Sequence, residues 1–297
     1  EFWQPESSPF VRDVISQPPR ASKMNRQKQF FGFCLTALVA SLAAEPALAQ
    51  GLIFHLPEDG TGVEYEGEII QENVRPDIAD GKETLKWSRE ISIKSVGRED
   101  AEFEGVVQPC RWIEIKVITG DPGAAGIDPG PVGARIYKVL VPESKVLDTS
   151  VDGDSVPNVM LPIVKGHRRL GENKVKAINS QALRIYPTVC LLNNYPEPAV
   201  VSASESPQTK ATNMSFNAKH LKGQTVMERP QSRSTNEGHF WVTPEVPFGL
   251  ARWEVVVTRE QKESTADRAT FAEVSTIKST MSVKRILDIA ESELNTE

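Results

Sequence analysis

From residue 50 onward the dominant hydrophobic period of the chain is two. Val63, Tyr65, Gly67 and Ile69 alternate with Glu64, Glu66 and Glu68, and Ile113, Ile115 and Val117 alternate with Trp112, Glu114 and Lys116. Trp253, Val255 and Val257 alternate in the same way with Arg252, Glu254 and Val256. Successive side chains on a strand point to opposite faces, so each run predicts one buried and one wet face. A wet face favours antiparallel pairing, because parallel sheets are covered on both sides. Further strands are expected near Ile91–Val96, Ala134–Val141, Lys210–Phe216 and Thr270–Ile277. Pro57-Glu58-Asp59-Gly60 reads as a hairpin turn between Leu52–Leu56 and Val63–Ile70. Pro244 to Gly249 (PEVPFG) joins His239–Thr243 to Leu250–Thr258 as a second strand pair.

Helical periodicity is scarce. Val283, Ile286, Leu287, Ala290 and Leu294 fall at helix spacing, with Ser279 or Thr280 as a cap, which predicts a C-terminal amphipathic helix on a sheet face. Asn173 to Leu183 shows a less regular helical pattern. Thr119–Gly133, Asp148–Asn158 and Ser202–Gln208 read as loops, the first because its Gly and Pro content suits no ladder strand. None resembles a domain linker. The expected fold is mainly β, a curved antiparallel sheet or half-barrel with that helix, in one mature domain over residues 50–297.

The first part of the chain reads as a leader. Met24 is followed by Arg26 and Lys28, then by the 15-residue apolar run Phe30–Ala44, and the segment ends in Ala47-Leu48-Ala49. A short positive start, an apolar stretch below the ~20 residues of a bilayer span, and small residues at −3 and −1 are the marks of a cleaved signal peptide. Residues 24–49 are therefore expected to be removed after Ala49, leaving an exported protein, periplasmic or secreted, with no stable membrane span. Cys34 lies at the front of the apolar run, away from the cleavage point where a lipidated Cys belongs. Residues 1–23, upstream of the leader and rich in Pro, are expected to be a misassigned start or a disordered segment.

Composition narrows the partners. The chain has 297 residues, 39% hydrophobic and 25% charged, with a net charge of −6, the balance of an ordinary globular protein. Cleavage would take five basic and four acidic residues from totals of 34 and 40, leaving the mature chain at −7. An acidic chain of this kind suits neither nucleic acid nor an anionic membrane. No nucleophile elbow, zinc-protease, phosphate-loop or dinucleotide motif occurs, so no catalytic residue, cofactor or metal ligand is assigned. His55, His167, His220 and His239 are widely spaced and none pairs with another at ligand spacing. Asp148 to Asp154 lacks the order of a calcium loop. Glu64, Glu66 and Glu68 read as a polar strand face, and Lys165, His167, Arg168 and Arg169 as a solvated basic stretch. Cys110 and Cys190 either form one bridge across an exported domain or stay as two buried thiols.

Two stretches carry a resemblance: Trp241 to Glu254, WVTPEVPFGLARWE, and Cys110 to Lys116, CRWIEIK. They resemble uncharacterised exported bacterial proteins of planctomycete type, and through them the LolA/LolB-like half-barrel. The resemblance implies a curved sheet whose concave face cradles apolar material, and it transfers no catalytic residue. Within the first stretch, Trp241, Glu245, Phe248, Gly249 and Trp253 are the residues expected to form either a rigid turn or a ligand contact. Two function classes follow. One is an exported non-catalytic binding or interaction protein, holding an apolar ligand or a protein partner on the sheet. The other is an exported hydrolase whose site is assembled from distant residues.

Overall fold

The computed structural model describes residues 51–123, 126–146, 161–183, 189–195, 197–211 and 214–294. The expected leader and the Asp148–Asn158 loop lie outside these residues. Strand β1 (Gly62–Val74) comes first in the chain yet sits in the middle of the sheet, between β2 (Lys82–Phe103) and β14 (Ala272–Leu287). On one side the sheet continues from β2 through β3 (Val106–Gly123), β5 (Arg135–Pro142) and β7 (Lys165–Leu170) to β8 (Lys176–Ala177), with β4 (Gly126–Asp128) beside β3. On the other side it runs from β14 through β13 (Leu250–Gln261), β12 (Ser232–Val242) and β11 (Ala218–Glu228) to β10 (Ala199–Glu205). A separate ladder joins β6 (Leu161–Pro162) to β9 (Ala182–Leu183). The pairings are antiparallel throughout, and the large sheet is not closed.

The period-two runs set the buried face as expected. Tyr65 and Val63 on β1, Ile91 and Ile93 on β2, Ile113, Ile115 and Val117 on β3, and Trp253 and Val255 on β13 are all at most 1% exposed. The register carries each alternation to its neighbour: Tyr65 lies opposite Ile91, and Ile91 opposite Val117. On the opposite face, Glu64 pairs with Arg285, Glu66 with Lys284 and Glu68 with Lys86, all cations on the flanking strands.

Several expectations are overturned. The C-terminal helix is absent, because Ser279–Leu287 continue β14. Ile277, Ser279, Met281 and Val283 alternate onto the buried face, and ladders on both sides supply the backbone with partners, which outweighs the helical spacing further on. Residues 288–294 follow as a tail outside any strand or helix. Glu114, 1% exposed, accepts from the Ser292 hydroxyl and from the Glu293 and Leu294 N–H groups, and Lys94 and Lys116 hold the Glu293 carboxylate.

The less regular candidate Asn173–Leu183 holds the two short strands β8 and β9, not a helix. The expected Thr119–Gly133 loop is largely the end of β3 folded back on β4, with Pro122 opposite Ile127 on this outlying ladder. Most of Ser202–Gln208 belongs to the edge strand β10, whereas the described residues of Lys210–Phe216 lie outside any strand. Leu52–Leu56 is not a hairpin arm either. Leu52 and Ile53 are fully buried, and the Phe54 N–H donates to the Phe248 carbonyl at 2.9 Å.

Candidate functional site

The apolar face of the sheet is the candidate site, and a short piece of chain lies over it. Residues 189–195 form no strand, but Val189, Cys190, Leu192 and Tyr195 belong to the buried core. Polar side chains fasten this cover to the sheet. Arg89 Nη1 on β2 donates to the Val189 carbonyl at 2.8 Å, and Trp253 Nε1 on β13 donates to the Cys190 carbonyl at 3.2 Å. Asn236 Nδ2 on β12 donates to the Leu191 carbonyl at 2.8 Å, while the Tyr195 hydroxyl donates back to Asn236 Oδ1 at 2.6 Å. Asn193 Nδ2 donates to Thr225 Oγ1 on β11 at 3.0 Å.

The sheet is shaped to receive Tyr195. Gly223 and Gly238 sit opposite each other on β11 and β12. A Cβ at Gly223 would stand 2.2 Å from the Tyr195 ring, and one at Gly238 would stand 2.2 Å from its hydroxyl oxygen. The ring stacks on Phe240 at 5.5 Å between centroids. The cover also carries unfavourable features. Leu191 has φ +61°, a left-handed conformation that costs a branched residue of order 1–3 kcal/mol. Asn194 is fully buried, and neither its amide nitrogen nor its oxygen has a hydrogen-bond partner.

The residues singled out in the turn divide between the faces. Trp253 is fully buried and meets Tyr65 edge-on at 4.8 Å. Phe248 is fully buried with φ 65°, and Gly249 has φ +87°. A Cβ on Gly249 would approach Phe54 Cβ to 2.8 Å, so the turn packs tightly on the chain that enters β1. Glu245 accepts from the Asn217 N–H at 3.1 Å. Trp241 lies on the opposite face from Trp253, because Trp253 is opposite Phe240 and Arg252 opposite Trp241. Cys110 and Cys190 are not bridged: each is a buried thiol, and burial pushes the Cys190 thiol up to about 12.

One cluster escaped the sequence. Glu205, His220, His239 and Trp241 meet on the outer face of β10, β11 and β12. His220 stacks on Trp241 at 4.2 Å, and Glu205 accepts from Trp241 Nε1 at 2.6 Å and lies 3.2 Å from His220 Nδ1. His220 Nε2 is 3.0 Å from His239 Nδ1, a contact that their wide spacing in sequence does not reveal. Nineteen residues separate them in sequence, and only the β11–β12 register joins them. With Glu205 ionised and both rings neutral, the chain of bonds makes His220 Nδ1 and His239 Nδ1 the donors and leaves a lone pair on His239 Nε2. The Trp241 hydrogen bond, with His220 beside it, holds the Glu205 carboxyl below the usual range. Burial, aided by His220 and Lys222, holds His239 below the ordinary imidazole value. Among the described residues no hydroxyl or thiol bonds to either ring, and no group of three or more His, Cys, Asp or Glu is placed to hold a metal ion.

Among the described residues, no helix is long and apolar enough to cross a membrane, which says nothing of spans made by strands. No family model matches the chain, and no curated protein matches it. Among solved structures, the chain is similar to one described as a "putative lipoprotein" from Parabacteroides distasonis ATCC 8503. The two are 16% identical, the likeness covers 79% of this chain and 98% of the other, and the TM-score is 0.32, too low to transfer a function.

Proposed function

We propose that this chain is an exported, non-catalytic binding protein that holds an apolar ligand on the buried face of its sheet, beneath a cover that can lift. One observation carries the reading. The cover 189–195 combines two costs within seven residues, with Leu191 left-handed and Asn194 buried without partners. Backbone strain and unpaired buried amides persist where the surrounding structure enforces them, and they gather at elements that move for a ligand. The cover is fastened by side-chain hydrogen bonds, each worth about 0.5–1.5 kcal/mol, and has no strand ladder to hold it. Lifting it would return the Asn194 amide to water and open an apolar face of matching shape. The Glu205–His220–His239 line gives the alternative of an exported hydrolase its best support, but it lies on the other face, and among the described residues no hydroxyl or thiol bonds to it.

The test is a fluorescence titration of the purified protein with N-phenyl-1-naphthylamine, a neutral apolar probe, followed by hydrogen exchange with and without it. One saturable site, with exchange changed at residues 189–195, is the expected result. Absence of saturable binding would overturn the reading.

A further inference from the structure

Among the described residues three cations are almost wholly buried, and two of them face carboxylates. Lys94, 7% exposed, lies 2.7 Å from Glu293 and 3.7 Å from Glu114. Arg111, 5% exposed at one end of the apolar face, lies 3.0 Å from Glu143. Arg89, 8% exposed towards the other end of that face, has no such partner among the described residues. Its Nε donates to Thr119 Oγ1 and its Nη1 to the Val189 carbonyl, both neutral acceptors at 2.8 Å. A buried guanidinium is costly unless an opposite charge offsets it.

A second cation acts on Arg89 instead. Arg135, half-buried on β5, shares the face. Arg89 is opposite Thr119 and Arg135 opposite Val117, so the two flank β3 diagonally. Sheet spacing puts their Cα atoms about 12 Å apart, within reach of two arginine side chains closing on one group. Among the described residues Arg135 makes no ion pair either. Burial, with Arg135 alongside, draws the Arg89 guanidinium down to about 10, so Arg89 remains charged at neutral pH. Beyond Arg89 the same face of β2 continues with Trp87, half-buried and packed against the core.

Resting on the binding reading above, we infer that Arg89 and Arg135 receive the oxyanion head, carboxylate or phosphate, of an amphiphile whose apolar body lies on the sheet face beneath the cover. Guanidinium groups match such heads by paired, charge-assisted hydrogen bonds. Arg89 also holds the Val189 carbonyl, so a head bound there would meet the first residue of the cover.

The test compares dodecanoate, dodecyl phosphate, dodecanol, acetate and inorganic phosphate as competitors of N-phenyl-1-naphthylamine on wild type, Arg135→Gln and Arg135→Lys. Among the described residues the Arg135 side chain makes no hydrogen bond, its backbone alone joining the ladders, and thermal melts of each variant check that the fold is kept. The expected result is that dodecanoate or dodecyl phosphate binds about tenfold or more tighter than dodecanol. Arg135→Gln should remove most of that margin without changing dodecanol, and Arg135→Lys should restore part of it. Which of the two anionic amphiphiles binds tighter tells carboxylate from phosphate. Equal binding of dodecanol and both anionic amphiphiles, or no effect of Arg135→Gln, would overturn the head-group assignment while leaving the binding reading in place. Acetate or phosphate competing as well as the amphiphiles would overturn it in favour of a free anion. Failure of the probe itself to bind would overturn the binding reading first.

Discussion

Lys94 Nζ lies 2.7 Å from Glu293 Oε1, a contact that ties β2 to a tail 199 residues further along the chain. Glu114, beside it on β3, accepts from three groups of that tail and has almost no exposure. Glu114→Gln removes the charge that those donors and Lys94 face. It should cost about 2–3 kcal/mol, read from urea unfolding, because hydrogen bonds to a charged acceptor are the strong ones. A loss below about half a kcal/mol would show that the tail does not need the carboxylate.

Glu293 gives the same contact a pH dependence. Burial pushes its carboxyl up, but the hydrogen bonds from Lys116 and Lys94 prevail and leave it below the ordinary value of 4.5. A group depressed in the folded state contributes stability above its unfolded pKa, and that contribution is lost as pH falls through the folded value. Hydrogen exchange at residues 288–294 should therefore hold steady above 4.5, after correction for intrinsic rates, and quicken below it. Equal protection across that range would remove Glu293 from the account.

Gly249→Val should destabilise by about 1–3 kcal/mol in thermal melts, for two reasons. The residue has φ +87°, and a Cβ there meets Phe54 Cβ at 2.8 Å. A melt like that of the wild type would mean that the turn re-forms in another shape.

Trp253→Ala should cost about 3–5 kcal/mol, the range for emptying a large aromatic site in a core. It also removes the donor to the Cys190 carbonyl, so the cover should exchange faster than the strands around it. Trp253→Phe, which keeps an aromatic ring against Tyr65, should be milder. Equal losses for the two variants would place the stabilisation in the indole N–H and not in the packing.

Gly238→Ala should free the cover while sparing the sheet. The new methyl meets the Tyr195 hydroxyl oxygen at 2.2 Å, and overpacking of this kind costs about 1–3 kcal/mol. Exchange at 189–195 should rise, and β11 and β12 should stay protected. Unchanged exchange at 189–195 would mean that Tyr195 does not hold the cover on the sheet.

The alternation of apolar and polar side chains was enough by itself to identify the mainly β fold and to choose the buried side of β1, β3 and β13. A strand has only two faces, so a local pattern of period two already names the core residues: Val63 and Tyr65, Ile113 and Ile115, Trp253 and Val255. The same local reading failed at Val283–Leu294, where helical spacing on paper lost to the strands β1 and β13 lying on either side of β14. What only the tertiary structure decided is everything that joins distant residues. Register brought His220 to His239, a buried carboxylate on β3 captured the tail, and residues 189–195 came to lie over the face with Arg89 at their start. Those contacts depend on the order in which strands stack, and strand order is set by pairings as distant in sequence as Gly62 with Leu287, which no local period records.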